Sequence, residues 1–313
     1  MSELKQEDIL NENDDVDVLK IINYLWKKKY YIIGITFFIS FSAVASSYLF
    51  PNYYKSNALV EVVSSSSQAS SISSSMSGLA SMAGISVPSS GQTNSTAFII
   101  ETLKSRKFVK NLIKYDDVLP SIMAPKSFNH KTGEILFNPK LYNSSEKKWV
   151  RKQAYPYKTK PSSLEVHKEL NDNILEVSVD KKTGYIIVSI EHISPIFAHD
   201  FLRTIIEELN MVSREKDLRE SQEAINFLKL EASKSALSPL NNSISRLIES
   251  KLETQMMAQI HEDYLLRFID PPYFPEKKSW PSRTNILIIS FLMSFILSIF
   301  SFLILYFVNE DKE

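Results

Sequence analysis

The sequence predicts an α+β domain with long α-helices, anchored in a membrane by one transmembrane helix near each end of the chain. The first observation behind this prediction is a pair of uncharged, mostly apolar runs at residues 30–54 and 284–309 of the 313-residue chain. A helix needs about 20 mostly apolar residues to cross the hydrocarbon core of a bilayer, so both runs are long enough. The second observation is the segment between the runs, which combines alternating strand patterns with long helical patterns.

The first apolar run predicts a transmembrane helix over residues 30–50, preceded by a cytoplasmic tail over residues 1–29. Aromatic rings prefer the headgroup zone of a bilayer, and several flank this run: Trp26, Tyr30, Tyr31, Tyr48, Tyr53 and Tyr54. The alternative is a signal peptide with a cleavage site at Ala43-Val44-Ala45. The first 29 residues carry seven acidic residues against five lysines. The n-region of a signal peptide is short and basic, so we favour the membrane span.

The second run predicts a transmembrane helix over residues 284–308 and a cytoplasmic tail over residues 309–313. Three lysines, Lys27 to Lys29, precede the first run and only Lys55 follows closely, which places the N-terminus in the cytoplasm and residues 51–283 in the periplasm. The charges around the second run favour the opposite orientation: Lys277, Lys278 and Arg283 before it, and Lys312 after it. We give precedence to the first run because the first helix usually sets the orientation.

The first part of the middle segment predicts a strand, a loop and two short helices. Residues 56–63 are typical of a strand that leaves the membrane directly. Nine serines then fall within residues 64–75, and low complexity continues to about Thr96, so we expect a Ser-rich loop over residues 64–96. The apolar spacing of residues 97–115 predicts amphipathic helices with a break near Ser105.

The second part predicts a β-hairpin and two long helices. Two alternating runs within residues 174–191 flank a turn that ends in Gly184, and glycine suits a turn position with positive φ. Ser194 and Pro195 predict the start of a helix over about 195–235, with serine as N-cap and proline at the first helical position. A second helix is predicted over about 241–269.

Two questions about these long helices stay open. Either the two helices form an antiparallel hairpin, or the second helix continues toward the membrane. The narrow apolar stripe along them suits packing between subunits, and packing within one subunit explains the stripe nearly as well.

Two sets of residues near the second run are candidate functional features. A semi-rigid, extended segment returns the chain to the membrane at a fixed distance and forms a candidate juxtamembrane motif: Pro271, Pro272, Pro275 and Pro281. Four serines share one helix face and form a candidate intramembrane contact face: Ser290, Ser294, Ser298 and Ser301. Small hydroxylated residues let helices approach closely in lipid, although serine is plentiful throughout this chain. The first run has a looser equivalent in Ser42, Ala43, Ser46 and Ser47.

Composition and motifs exclude several kinds of chemistry. Basic and acidic residues both number 36, whereas a dedicated nucleic-acid-binding protein normally carries a basic surplus. The absence of cysteine excludes disulfides, Cys-ligated zinc and thiol catalysis. No GxxxxGK[ST], GxGxxG, HExxH or GxSxG motif is present. A two-carboxylate glycosidase stays open as an alternative, but no pair of acids stands out. We therefore predict a non-enzymatic protein with no catalytic residue, no cofactor, no metal and no nucleic-acid partner.

Several segments, in order and spacing, resemble Wzz-type chain-length determinant proteins, the polysaccharide co-polymerases. The similar segments are Asp15 to Lys29 running into the first span, the strand after that span, SGLASMAGI at residues 77–85, LKSRKFVKNLI at residues 103–113, Ser194-Pro195, and Phe268 to Pro281 running into the last span. The resemblance covers essentially the whole chain and is least distinctive at residues 114–173. The Ser-rich stretch at residues 64–75 is more extreme than is typical of the family.

The resemblance implies a two-pass protein of the bacterial inner membrane with both termini in the cytoplasm. It implies a homo-oligomer with a periplasmic α/β domain that acts beside a Wzy-type polymerase and sets the length of a growing lipid-linked polysaccharide. Larger members of the family carry a kinase domain after the second span. Only five residues follow Val308 here and a phosphate loop is absent, which indicates the short, non-kinase branch that is tied to O-antigen of lipopolysaccharide.

The alternative function within this architecture is an adaptor for export of capsule or exopolysaccharide. A two-span sensor fits less well, because the predicted cytoplasmic parts of 29 and 5 residues are too short for a signalling domain. A periplasmic glycan-cleaving enzyme is the third possibility.

Overall fold

A computed structural model describes residues 18–63, 91–234, 238–260 and 263–310. The first half of the chain contains α1 (Val18–Lys27), α2 (Lys29–Ser47), β1 (Tyr54–Val62), α3 (Gly91–Leu103), α4 (Arg106–Leu112), α5 (Val118–Met123), β2 (Pro125–Asn129), β3 (Glu134–Phe137), β4 (Tyr142–Asn143) and β5 (Lys148–Trp149). The second half contains α6 (Ser163–Glu169), a π-helical turn (Leu170–Ile174), β6 (Leu175–Val179), β7 (Ile186–His192), α7 (Pro195–Lys234), α8 (Ser238–Ile260), β8 (Leu266–Asp270) and α9 (Arg283–Glu310).

These elements form two compact units. The first unit combines residues 1–51 with residues 281–313, and the second unit is residues 52–280. In the first unit, α2 and α9 pack along each other and α1 contacts both. The second unit is a mixed helix and sheet domain with one very long helix, as the sequence predicts.

A four-stranded antiparallel sheet organises the second unit, in the order β6-β7-β1-β8. Strand β1 lies inside the sheet, with Tyr54 opposite His192 of β7 and Val62 opposite Leu266 of β8. The first part of α7 packs against this sheet. Its buried side chains join those of the strands and of α3 to α6 in one core: Ala198, Phe201, Leu202, Ile205, Ile206 and Leu209 come from α7. Burial of these side chains is the main stabilising term of the domain.

Three local predictions are confirmed. Strands β6 and β7 pair as the hairpin predicted over residues 174–191, and Gly184 has φ of +75° in its turn. The helix break near Ser105 separates α3 from α4, and the Ser105 hydroxyl caps α4 by accepting from the Phe108 amide at 3.2 Å. Ser194 precedes α7, and its hydroxyl accepts from the Phe197 amide at 3.1 Å, so the side chain satisfies an otherwise free amide of the first helical turn.

The loop prediction is wrong at its end. Helix α3 begins at Gly91, so residues 91–96 are helical, and residues 64–90 lie outside the described part of the chain. Once the amphipathic part of a helix is nucleated, each polar residue added at its end contributes one further hydrogen bond. The helix therefore extends beyond the apolar pattern that indicates it.

The prediction of a second long helix over residues 241–269 is also wrong at its end. Helix α8 begins at Ser238, and residues Leu266–Asp270 form strand β8 rather than the last turns of a helix. Strand β8 pairs with β1 along the edge of the sheet. Leu266 is buried there, whereas its neighbour Arg267 points outward to Glu61 on β1. Pairing with a strand 200 residues earlier in the chain overrides the local helical spacing.

Helices α7 and α8 form an antiparallel hairpin. The Gln255 side-chain amide donates to Gln222 at 3.2 Å, and the Tyr264 hydroxyl, just after α8, donates to Asp217 at 2.7 Å. As the residue number rises along α7 it falls along α8, which decides the open question in favour of a hairpin. Burial, followed by the hydrogen bond to Asp217 and the negative charge of that carboxylate, raises the pKa of Tyr264, so this phenol stays protonated at neutral pH.

Two buried polar side chains hold long-range contacts in the domain. The Asn210 side chain on α7 donates to the Leu266 carbonyl at 2.8 Å and accepts from the amides of Leu265 and Leu266. This amide group thereby fixes β8 to the helix. At the end of β7, the His192 Nδ1 atom accepts from the Ser194 amide at 3.1 Å, so Nε2 carries the proton and donates to the Ser121 carbonyl at 2.9 Å.

Candidate functional site

The α2–α9 pair is the first candidate site, and its two ends are marked by aromatic contacts. Near the start of the pair, the rings of Tyr24 on α1 and Tyr306 on α9 lie 5.2 Å apart. At the other end, the Arg283 guanidinium lies 3.9 Å from the ring centroid of Tyr48. The end of α2 thus meets the start of α9, and the two helices are antiparallel.

A seam of small polar side chains joins the two helices. Thr36 and Ser40 on α2 are buried, and so are Ser294 and Ser298 on α9. The hydroxyls of Ser40 and Ser294 lie 3.3 Å apart, and the Ser294 hydroxyl also approaches the Thr36 carbonyl at 3.4 Å. Thr36 and Ser40 also donate to carbonyls one turn back in their own helix, both at 2.8 Å. Small residues at this seam let the backbones approach closely.

The outer surface of the pair is apolar. Large exposed side chains cover α2 and α9; the most exposed include Phe37, Phe38, Phe41, Met293, Leu297 and Phe300. Helix α2 has 19 residues and is about 28 Å long at 1.5 Å per residue, close to the thickness of a bilayer's hydrocarbon core. Both helices are long and apolar enough to cross a membrane. An apolar exterior around a small polar interior fits a membrane anchor.

The structure divides the four serines predicted as a contact face. Ser294 and Ser298 are buried against α2, Ser290 is half-buried, and Ser301 is exposed. The first two are therefore engaged within this chain, and only Ser290 and Ser301 are open to a partner. The structure also divides the predicted equivalent set on α2: Ser47 is buried and Ala43 is half-buried, whereas Ser42 and Ser46 are exposed.

Sequence reasoning missed Thr36 and Ser40. A signal for them exists, because Thr36, Ser40, Ala43 and Ser47 follow one another at intervals of four, three and four residues, which places small residues on one face of a helix. Large apolar residues separate these small residues along the sequence, so the pattern is visible only when every third or fourth residue is compared.

The last residues of the domain of residues 52–280 close against its first residues. The Tyr53 amide donates to the Trp280 carbonyl at 2.9 Å, the Ser279 amide donates to the Tyr53 carbonyl at 2.8 Å, and the rings of Tyr53 and Trp280 meet edge to face at 5.8 Å. The Ser279 hydroxyl also donates to Glu191 on β7. The first and last residues of the domain therefore leave it side by side.

The chain before Trp280 is extended and fixed at several points. The Ser56 hydroxyl donates to the Tyr273 carbonyl at 2.8 Å, and the Phe274 ring stacks on His199 of α7 with centroids 3.7 Å apart. The four prolines of the motif differ in burial: Pro275 and Pro281 are buried, Pro272 is half-buried and Pro271 is exposed. A proline-rich, pinned segment of this kind sets the position at which the chain leaves the domain.

A shallow crevice of about 390 Å³ lies beside this closure. Its lining includes Tyr53, Glu169, Asn173, Glu191 and Trp280. Burial, followed by the charges of Glu169 and Glu191, raises the pKa of Tyr53, so its hydroxyl stays protonated and able to donate at neutral pH. Within the described ranges, no group of three or more His, Asp or Glu side chains is placed to hold a metal ion.

The α7–α8 hairpin carries several exposed apolar side chains. Leu252, Met256 and Ile260 follow one stripe of α8 at intervals of four residues, and each is at least 46% exposed. Phe227 and Leu230 on α7 are also exposed. An exposed apolar stripe of this kind is a candidate interaction surface.

Comparisons with known proteins agree with the resemblance stated above. Residues 14–115, which include α1, α2, β1, α3 and α4, match the model of the family described as "Wzz: Chain length determinant protein". No curated protein matches the chain in sequence.

Two solved structures are similar to parts or all of the chain. One is a full-length bacterial polysaccharide co-polymerase, with 12% identity, 95% of this chain and 99% of that chain covered, and a TM-score of 0.36. Another is a fragment of WzzB, a polysaccharide co-polymerase from Salmonella Typhimurium, with 11% identity and a TM-score of 0.26. The similarity covers 73% of this chain and 100% of that fragment. Within residues 14–115, the chain therefore resembles the Wzz family of chain length determinant proteins.

Proposed function

We propose that this protein regulates the chain length of O-antigen polysaccharide as an oligomeric, non-enzymatic scaffold for a Wzy-type polymerase. The observation that carries the proposal is the match of residues 14–115 to the chain length determinant family. A regulator of this kind needs no reaction centre of its own. It needs a membrane anchor, a domain that extends away from the membrane, and surfaces that bind its partners.

The α2–α9 pair supplies the anchor in this proposal. Its apolar exterior suits lipid, and its antiparallel arrangement returns the chain to the side of the membrane on which it began. The lysines at residues 27–29 support a cytoplasmic position for that side, in a bacterium. Residues 52–280 then lie in the periplasm, on the outer side of the inner membrane.

The α7–α8 hairpin supplies the surface for oligomerisation. Its exposed stripe of Leu252, Met256 and Ile260 is best covered by a second copy of the same chain. Helix α7 has 40 residues and is about 60 Å long, so copies joined along it form a tall assembly. Such an assembly holds several polymerases or several lengths of a growing lipid-linked glycan at fixed positions.

The outward serines of α9 are the proposed contact with the polymerase. Ser290 and Ser301 remain open because α2 occupies Ser294 and Ser298. The segment with Pro271, Pro272, Pro275 and Pro281, which is pinned to the domain at Ser56 and His199, leads the chain from the domain into this helix. Small side chains at such a site let a helix of the polymerase approach closely.

Deletion of the gene tests the function, with lipopolysaccharide separated on a silver-stained gel. We expect loss of a modal cluster of chain lengths, with short and random lengths remaining, and restoration by the intact gene. An unchanged ladder together with altered surface capsule would replace this proposal with the adaptor for capsule or exopolysaccharide export. Cleavage of purified polysaccharide by residues 52–280 would replace it with a glycan-cleaving enzyme.

A paired substitution tests the contact face in the complemented strain. We expect Ser290→Leu with Ser301→Leu to shift the modal chain length, because leucine blocks the close approach of another helix. The matched control is Ile289→Leu with Leu305→Ile, which alters exposed lipid-facing positions without a change in size. A modal length that is the same in both variants would exclude Ser290 and Ser301 as the contact.

A further inference from the structure

Helix α1 and the lysines that follow it carry an arrangement that chain-length regulation does not use. Leu19, Ile22 and Trp26 lie at intervals of three and four residues and are 77%, 55% and 67% exposed. They therefore form one apolar stripe on a helix of ten residues. The opposite side of α1 is held by Tyr24, whose ring contacts Tyr306 of α9.

Three positive charges cluster at the C-terminal end of this stripe. Lys27 is exposed, and Lys28 and Lys29 are half-buried. The Lys29 ammonium lies 4.6 Å from the ring centroid of Trp26 and 5.4 Å from that of Tyr30, and the Lys28 ammonium lies 5.5 Å from the Tyr31 centroid. In the described part of the chain, no ion pair involves any of the three.

We propose that α1 lies on the membrane surface and that Lys27, Lys28 and Lys29 form a binding site for anionic phospholipid headgroups. An amphipathic helix with an apolar stripe and a basic end is the arrangement that binds an anionic lipid surface. The stripe is continuous in sequence with the apolar exterior of α2, so it meets the acyl boundary while the lysines meet phosphates. The rings of Trp26, Tyr30 and Tyr31 hold the ammonium groups at headgroup depth.

Charge complementarity favours lipid as the occupant. A phosphodiester headgroup carries a negative charge at the depth where these ammonium groups lie, and each lysine near an anionic surface adds about a fivefold preference for it. The other candidate occupant is the chain's own N-terminal segment, which carries Glu3, Glu7, Asp8, Glu12, Asp14, Asp15 and Asp17. The inference rests on the membrane anchor proposed above and not on the role in chain length.

Quenching of Trp26 fluorescence by brominated lipids tests the site in the full chain. The chain has three tryptophans, so Trp149→Phe and Trp280→Phe leave Trp26 as the reporter. The protein is reconstituted in vesicles of equal parts phosphatidylcholine and phosphatidylglycerol, with bromine on one lipid or the other. We expect brominated phosphatidylglycerol to quench Trp26 more than brominated phosphatidylcholine, with a preference that falls at high salt.

Charge variants in the same background complete the test. We expect Lys27→Gln with Lys28→Gln and Lys29→Gln to lower the preference at least fivefold, and the three lysine-to-arginine changes to keep it. The matched control removes three exposed lysines of the other unit, Lys126, Lys131 and Lys140, and is expected to have no effect.

Three results would overturn the site. The first is equal quenching by both lipids in the parent protein, and the second is a preference that survives the three glutamines. The third is a preference that arises only after the seven N-terminal acidic residues are neutralised, since that segment would then be the occupant. Failure of the whole protein to float with vesicles would instead contradict the membrane anchor.

Discussion

The two units of the molecule are built with opposite arrangements of polar and apolar side chains. In the domain of residues 52–280, large apolar side chains such as Leu202 and Ile206 are fully buried. In the α2–α9 pair, most buried side chains are small and carry a hydroxyl, such as those of Thr36, Ser40 and Ser294. Except for Ile32, the large apolar side chains of the pair are partly or fully exposed. The difference teaches that each unit is stabilised for a different solvent. Water drives apolar groups inward, and lipid leaves only close packing and hydrogen bonds to join helices.

Buried polar groups also differ between the units. In the domain, Asn210 and His192 bond to backbone groups of distant segments at 2.8 to 3.1 Å. In the helix pair, the contacts between helices at Ser294 are longer, at 3.3 and 3.4 Å. The domain therefore uses Asn210 and His192 to fix specific tertiary contacts, whereas the pair depends mainly on the small size of its seam residues.

The largest expected difference between the units comes from truncation of an apolar side chain. We expect Leu202→Ala to lower the free energy of unfolding of the domain by about 2–5 kcal/mol, because it leaves a cavity in the core. The matched change in the pair is Leu297→Ala, which removes a side chain that is 65% exposed and leaves no internal cavity. Thermal unfolding of the purified full chain, followed by near-ultraviolet circular dichroism, measures the domain in both variants. Equal losses would contradict the opposite arrangement of the two units.

A second expected effect is a pH dependence of the domain through His192. Burial lowers the pKa of His192 in the folded protein to about 4, from 6.5. The unfolded chain therefore takes up this proton first, and stability falls as the pH drops from about 6.5 toward 4. The full effect is about 3 kcal/mol at 1.36 kcal/mol per pKa unit.

Denaturant titration at several pH values from about 7 down to about 4 measures this dependence, because that range covers the pKa of His192 in the unfolded and in the folded protein. We expect His192→Gln to be less stable at pH 7 but to lose less stability on acidification than the parent protein. His130→Gln is the control at an exposed histidine. Parallel pH profiles for the parent protein and His192→Gln would show that His192 does not carry the effect.

The smallest expected effect tests the seam itself. A double-mutant cycle of Ser40→Ala and Ser294→Ala should give a coupling of about 0.6 kcal/mol, typical of hydrogen bonds between helices in membranes. The chain has no cysteine, so cysteines at the exposed positions Tyr31 and Leu305 can carry a fluorophore pair that reports separation of α2 and α9.

Ser46 provides the control for this cycle. Its hydroxyl is exposed and donates to Ser42 within the same helix, so Ser46→Ala with Ser294→Ala should show no coupling. A coupling of several kcal/mol for Ser40 and Ser294 would mean that the pair depends on polar groups as the domain does. The comparison between the units would then fail.

The sequence by itself determined the features that arise from short-range physics. The apolar runs that contain α2 and α9, the turn at Gly184, the helix break near Ser105 and the helix start at Ser194-Pro195 each depend on a few neighbouring residues. The family resemblance, confirmed over residues 14–115, came from the order of such local segments.

Only the tertiary structure decided which distant segments meet. Residues 266–270 form a strand because the edge of β1 offers backbone partners, although their spacing continues a helical stripe. The seam of Thr36, Ser40 and Ser294 depends on the rotation of two helices about their axes, and the pairing of Tyr53 with Trp280 joins residues more than 200 positions apart. Local spacing sets which face of a segment is available, whereas the choice of partner depends on packing of the whole chain, which no short window of sequence contains.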